Sequence, residues 1–280
     1  MACAALFSVA VWSAGSAQTV PKKKTQPKAP STTAPLVARP MGPPAPDPKL
    51  LALPPAEKFV YGVQWRLIRA GTVTIEEHPS SAGQPPSLAM RLESGGLVAS
   101  LFKVDDTYNA TYDQSDPHYC ATLTRLESRE GQRHHEAQVT YDRTANRAHY
   151  IERDLATNQT LREMSVDLPA CASDPLGAFV RLRGMPAEPG GSFEIPVSDG
   201  RHSALVRIEP QEREEVKVPA GTFKTMRYEA FLLNGVVYPR KGRLWVWYTD
   251  DTRRLPVQIR LRTGFPVGTV TLELEKQEGP

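Results

Sequence analysis

Beyond residue 57, apolar and polar residues alternate along most of the chain. Phe59, Tyr61, Val63, Trp65 and Leu67 occupy every second position, the period of a strand with one buried face. Ala70-Gly71 reads as a turn, and residues 72–75 as the returning strand. The same pattern predicts strands over 88–93, 119–126, 136–142, 148–153 and 160–166. A second series falls over 192–197, 203–209, 214–218, 224–233, 242–248, 256–261 and 269–274. Asp199-Gly200, Ala220-Gly221, Asn234-Gly235 and Asp250-Asp251 supply turn chemistry between them, because Gly and short polar side chains accept the dihedrals of tight turns. The densest stretch lies over 238–260. There Leu244, Val246 and Tyr248 alternate with Trp245 and Trp247, so both faces of one strand are bulky. Short strands spaced by turns about every ten residues predict a mainly β fold. The expected form is an antiparallel open barrel or a strongly curved two-sheet structure.

Helical spacing is rare. Ser173 or Asp174 can cap the segment opened by Pro175, and Leu176, Phe179, Val180 and Arg183 follow three or four residues apart before Gly184. This predicts one short helix covering the strands. A weaker helical pattern covers 97–104.

The alternation stops upstream of residue 58. Eleven of the 26 prolines lie between Pro21 and Pro55, so they describe an arm and not the fold. Residues 18–57 are too poor in apolar side chains to bury a core and read as a disordered or polyproline-like linker. Residues 4–12 are apolar and followed by small residues, with Gly15 and Ala17 placed for cleavage before Gln18. That is the pattern of a signal peptide over 1–17. The expected organisation is therefore leader 1–17, linker 18–57 and an all-β domain over 58–276. The expected location is the periplasm. Cys3 precedes the apolar run, whereas a lipidated cysteine would follow it. Nothing downstream is apolar for long enough to span a bilayer as a helix.

The formal charge is +3. The arm carries Lys22, Lys23, Lys24, Lys28 and Arg39 against Asp47 alone, so the folded part is close to neutral. It lacks the basic footprint of a nucleic-acid binder. With the leader removed, Cys120 and Cys171 remain. An even pair in an exported chain reads as a disulfide.

Chemistry-bearing motifs are sparse. No glycine-rich phosphate loop or nucleophile elbow is present. His134, His135 and Glu136 form the densest group of metal-ligand types, with His149 as an outside candidate. Adjacent strand residues point to opposite faces, so at most two of these converge. Asp105-Asp106, Asp250-Asp251 and the Asp113/Asp116 pair read as turn formers. No catalytic residue, metal or cofactor is expected. Aromatic side chains are the remaining signal. Tyr61, Trp65, Phe223, Tyr228, Phe231, Trp245 and Trp247 lie on or beside predicted strands, where they either fill a core or line a hollow one.

Four segments together resemble the domain-of-unknown-function family 3108 of exported bacterial proteins. They are residues 61–71 (YGVQWRLIRAG), 174–183 (DPLGAFVRLR), 218–226 (VPAGTFKTM) and the 238–260 hairpin. The resemblance implies an exported antiparallel β protein with no established activity. The hairpin alone also looks like the closing hairpin of half-barrel periplasmic lipoprotein carriers, which implies a concave apolar sheet covered by a helix. The resulting expectation is a non-enzymatic periplasmic protein that binds an apolar or lipid-like ligand and serves the cell envelope. Trp65, Phe179, Phe223, Trp245 and Trp247 are the candidate ligand contacts. The alternative is a protein-interaction module tethered in the envelope by its proline-rich arm. A hydrolase with an illegible site ranks third.

Overall fold

The computed structural model describes residues 56–81, 83–185, 188–264 and 267–279. The expected leader, and the linker up to residue 55, lie outside the described residues. The fold is mainly β, with two helices among the described residues. Eight strands come first: β1 (Lys58–Trp65), β2 (Ile68–His78), β3 (Ser87–Ser94), β4 (Val104–Tyr112), β5 (Ala121–Glu130), β6 (Arg133–Asp142), β7 (Arg147–Asp154) and β8 (Gln159–Asp167). Helix α1 (Gly96–Leu101) sits between β3 and β4. Helix α2 (Pro175–Arg183) then leads to β9 (Phe193–Ser198), β10 (Ser203–Val218), β11 (Gly221–Ala230), β12 (Gly242–Thr249), β13 (Pro256–Thr263) and β14 (Thr269–Glu278).

All fourteen strands form one antiparallel sheet in the order β8-β7-β6-β5-β4-β3-β2-β1-β14-β13-β12-β11-β10-β9. Each half is a meander, and the halves join where β1 pairs with β14. The sheet is not closed by a ladder, and its edges are β8 and β9. It curls far enough for side chains to bridge the opening. The Tyr141 hydroxyl on β6 donates to the Ser198 carbonyl on β9 at 3.1 Å, and the Arg201 guanidinium lies 5.7 Å from the Tyr150 ring centre on β7. The result is an open barrel, with β8 projecting past the seam and mostly exposed.

The alternation explains the core. Phe59, Tyr61, Val73, Ile75, Leu88, Met90, Leu272 and Leu274 are buried on the concave face. Tyrosines fill much of the N-terminal half: Tyr61, Tyr108, Tyr112, Tyr141 and Tyr150 are all buried.

Several local expectations are corrected. The turn after β1 is Arg66-Leu67 and not Ala70-Gly71, which lie within β2. Arg66 and Leu67 take left-handed backbone conformations, φ 50° and 82°. Gly71 serves close approach instead: a Cβ there would stand 2.1 Å from the Glu93 carbonyl oxygen. The helical pattern over 97–104 yields only the short α1, and β4 begins at Val104. Asp105 and Asp106 therefore belong to β4 and not to a turn. Asp106 points inward and accepts the Arg129 backbone N–H at 2.9 Å, which disguised the strand's apolar period. The two strands expected over 203–218 are one, with its register shifted between Pro210 and Arg213. The strand expected over 224–233 stops at Ala230, and Asn234-Gly235 turns the chain within a longer connection to β12.

Candidate functional site

Helix α2 lies against the concave face and leaves a cavity of about 100 Å3 between itself and the sheet. Its walls come from both. The helix contributes Pro175, Leu176, Ala178, Phe179 and Leu182, and β2 and β3 contribute Val73, Ile75 and Met90. Two further walls come from β9 to the β11–β12 connection and from β12 to β14, and the second is built by cross-strand pairs. Leu244 faces Leu261, Val246 faces Ile259, Leu261 faces Val270 and Ile259 faces Leu272. Such pairs share a face, so each supplies two aliphatic groups to one surface. No lining residue is charged or polar. Empty apolar cavities on the order of 150 Å3 stay dry and admit a guest the size of benzene.

Of the five aromatic candidates, the structure brings Phe179 to this cavity. Trp245 and Trp247 lie on the opposite face of β12. Trp245 hydrogen-bonds Glu229 and stacks under Arg243, 4.6 Å from guanidinium to ring centre. Trp247 donates to Glu214 at 2.8 Å and lies under Arg260. Trp65 donates to the Val267 carbonyl at 2.7 Å, and Phe223 pairs across the sheet with Val216. Sequence reasoning missed the aliphatic lining. Its signal was the second set of alternating positions on β12 to β14, opposite the tryptophans.

The helix is pinned at both ends. Asp174 caps it by accepting the Leu176 and Gly177 amides at 3.0 and 3.2 Å. The same carboxylate accepts the Tyr108 and Tyr112 hydroxyls at 2.7 and 2.8 Å. Gly177 permits this contact, since a Cβ would sit 2.6 Å from the Tyr112 ring. Burial, reinforced by Asp174, pushes both tyrosine pKa values well above the ordinary range. Tyr248 donates to the Phe179 carbonyl at 2.7 Å, midway along the helix. Just upstream, the Cys120–Cys171 disulfide ties the segment to the β4–β5 loop.

At the other end, Arg183 is fully buried. It pairs with Glu57 and reaches Glu77 at 3.6 Å. Its remaining donors go to the Arg253 and Arg254 carbonyls at 2.8 and 2.9 Å. Arg254 reciprocates, donating to the Arg183 carbonyl at 3.0 Å and to the Tyr228 hydroxyl at 2.7 Å. Two carboxylates thus share one guanidinium away from water. Burial lifts the Glu77 pKa to about 7, Arg183 pulls it down and Glu57 pushes it up. Glu57 falls in the stretch that composition assigned to the linker, and nothing in its neighbours signals a buried partner.

The histidines do not converge. His134 contacts Glu127 at 2.8 Å, His135 sits between Glu152 and Asp154, and His149 contacts Glu163. Asp116, Cys120 and Cys171 bring an oxygen and two sulfurs within 4.8 Å of one another. Those sulfurs are bonded to each other, so they offer no thiolates. No helix among the described residues is long and apolar enough to cross a membrane.

Fold and site together define a class: an open antiparallel barrel whose concave face holds a short helix over an apolar void. Residues 60–275 match the family described as "Protein of unknown function (DUF3108)", and the chain belongs to that family. None of the curated proteins matches. Among solved structures, the chain is similar to a β-barrel-like protein of the domain of unknown function DUF1849 from Brucella abortus. The TM-score is 0.55 at 10% identity, covering 82% of this chain and 99% of that one. It also aligns, with a TM-score of 0.31 and 8% identity, to a Bacteroides fragilis protein described as exported with a YmcC-like fold, over 82% of this chain and 99% of that one.

Proposed function

We propose that this protein is a non-enzymatic, exported binder of an apolar or lipid-like ligand, working in the periplasm in the upkeep of the cell envelope. One observation carries the reading: a cavity walled entirely by apolar side chains lies under a helix fixed at both ends. A ligand there exchanges water for hydrocarbon and finds no polar partner, so the bound part is an alkyl segment. Each buried methylene contributes about 0.8 kcal/mol. The leader-like segment and the Cys120–Cys171 disulfide support export.

Native mass spectrometry of the protein purified from its own periplasm tests this. A co-purifying lipid mass released by activation supports the reading, and a clean unliganded mass under gentle conditions opposes it.

A second reading rests on β8. This edge strand is mostly exposed and leaves a row of backbone groups unpaired on its outer side. Such an edge can accept a partner's strand, with the proline-rich arm as tether.

A further inference from the structure

The two ends of the barrel differ in surface chemistry. One end carries the Arg66-Leu67 turn, the α1 connection and the turns β5–β6, β7–β8, β9–β10, β11–β12 and β13–β14. Eight large apolar residues are exposed among those described, and six lie in or next to these connections: Leu67, Ile68, Leu97, Leu101, Leu155 and Val236. The other two, Leu161 and Leu205, lie on strands, and the opposite end has none.

Leu67 is the extreme case. It is 97% exposed, and its φ of 82° is a conformation that Gly or Asn adopts with less strain. At that exposure the leucine side chain is left almost wholly to solvent by the fold. Leu97 and Leu101, 73% and 87% exposed, are four residues apart and share one face of α1. That helix stands beside the turn, because the Gly95 amide donates to the Ala70 carbonyl at 2.7 Å.

Charge follows the same division. The connections at the leucine-bearing end hold Arg66, Lys103, Arg201, Arg240 and Lys241 against Asp199. Those at the other end, α2 included, set Asp113, Asp116, Asp174, Glu188, Asp250 and Asp251 against Arg143, Arg181, Arg183, Arg253 and Arg254, so they carry no basic excess. The cavity also reaches the leucine-bearing end. Leu244, Leu261 and Val270 of its wall stand within two residues of strand ends there, and Leu232 belongs to the β11–β12 connection itself.

We infer that this end is a docking surface for an anionic phospholipid bilayer. Leu67 and Leu101 enter the acyl boundary and the basic rim meets the headgroups. The surface stands on exposure and charge. It rests on the carrier reading only for its purpose, which is to set the cavity against the source or destination of the ligand.

The test is flotation of the full chain with mixed phosphatidylethanolamine–phosphatidylglycerol vesicles, comparing the parent with a Leu67→Asn, Leu101→Gln double variant. Both carry the same basic arm, so the comparison isolates the leucines. The parent should float. The variant should partition at least about tenfold more weakly, with its unfolding midpoint unchanged or raised by the relaxed Asn. Equal flotation of both chains, or no flotation of the parent, overturns the inference. So does a parent dimer in sedimentation velocity that the same variant dissociates, since that makes a second copy the occupant. Uptake of a fluorescent fatty acid by the variant is read in parallel. Retained uptake with lost flotation leaves the cavity reading intact, whereas lost uptake in the parent fails that reading and not the docking surface.

Discussion

Arg183, on the last turn of α2, and Glu57, one residue ahead of β1, form an ion pair in which each side chain is 1% exposed. The pair joins the helix that covers the cavity to the strand at the centre of the sheet. Breaking such a pair from one side leaves an uncompensated buried charge, which costs about 3–5 kcal/mol. Arg183→Met should therefore lower the stability of the chain by about that amount at pH 8. The loss should be smaller at pH 5, where Glu77 holds its proton. Urea unfolding at the two pH values checks this, and an equal loss at both contradicts it.

Glu77 makes the cluster sensitive to pH in its own right. Its carboxyl titrates near 7 in the fold against an ordinary value of 4.5. Between those values the unfolded chain gives up the proton first, so stability falls as pH rises through that window and levels off above it. The whole effect is at most about 3 kcal/mol. Glu77→Gln should remove the slope, raising the unfolding midpoint by several degrees at pH 8 with little change near pH 4.5. A variant whose pH profile runs parallel to the parent's would contradict the assignment.

Asp174 caps the helix and receives two tyrosine hydroxyls. Asp174→Ala removes the cap, worth about 0.5–2 kcal/mol, and strands the hydroxyls of Tyr108 and Tyr112. The expected loss is about 3 kcal/mol, adding roughly one orphaned group. Tyr108→Phe in the Asp174→Ala background should recover part of it. A double-mutant cycle measures the coupling, and strict additivity would contradict the shared-carboxylate arrangement.

The disulfide closes a loop of 51 residues just upstream of α2. Chain entropy assigns it about 4 kcal/mol. The Cys120→Ala, Cys171→Ala variant should lose stability of that order in denaturant titrations. Hydrogen exchange should quicken in α2 more than in β12 and β13. Uniform quickening would contradict a local role.

What the sequence made legible follows from how local each signal is. Period-two alternation and turn residues placed most strands, the even cysteine pair gave the disulfide, and helical spacing after Pro175 gave the helix with Ser173 or Asp174 as its cap. The strand β4 escaped because Asp106 occupies an inward position where its Oδ1 accepts a backbone amide from β5, a partner no local pattern reveals. Glu57 and Arg183 lie far apart in sequence and each looks solvent-bound in isolation. The cavity was expected behind tryptophans because large side chains draw attention. The indoles of Trp245 and Trp247 instead cover the other face of β12 with Arg243 and Arg260. The aliphatic positions between them form the wall.

The central claim is that the apolar space under α2 receives a ligand. Ala230 lies on the cavity wall, and leucine in its place adds three methyl-sized groups to the void. The decisive measurement is a titration of purified protein with a fluorescent fatty acid, parent against Ala230→Leu. Saturable binding of one molecule per chain by the parent, at least about tenfold weaker in a variant of equal or greater stability, is the predicted result. Absence of saturable binding in the parent, or equal binding in the filled variant, would contradict the claim.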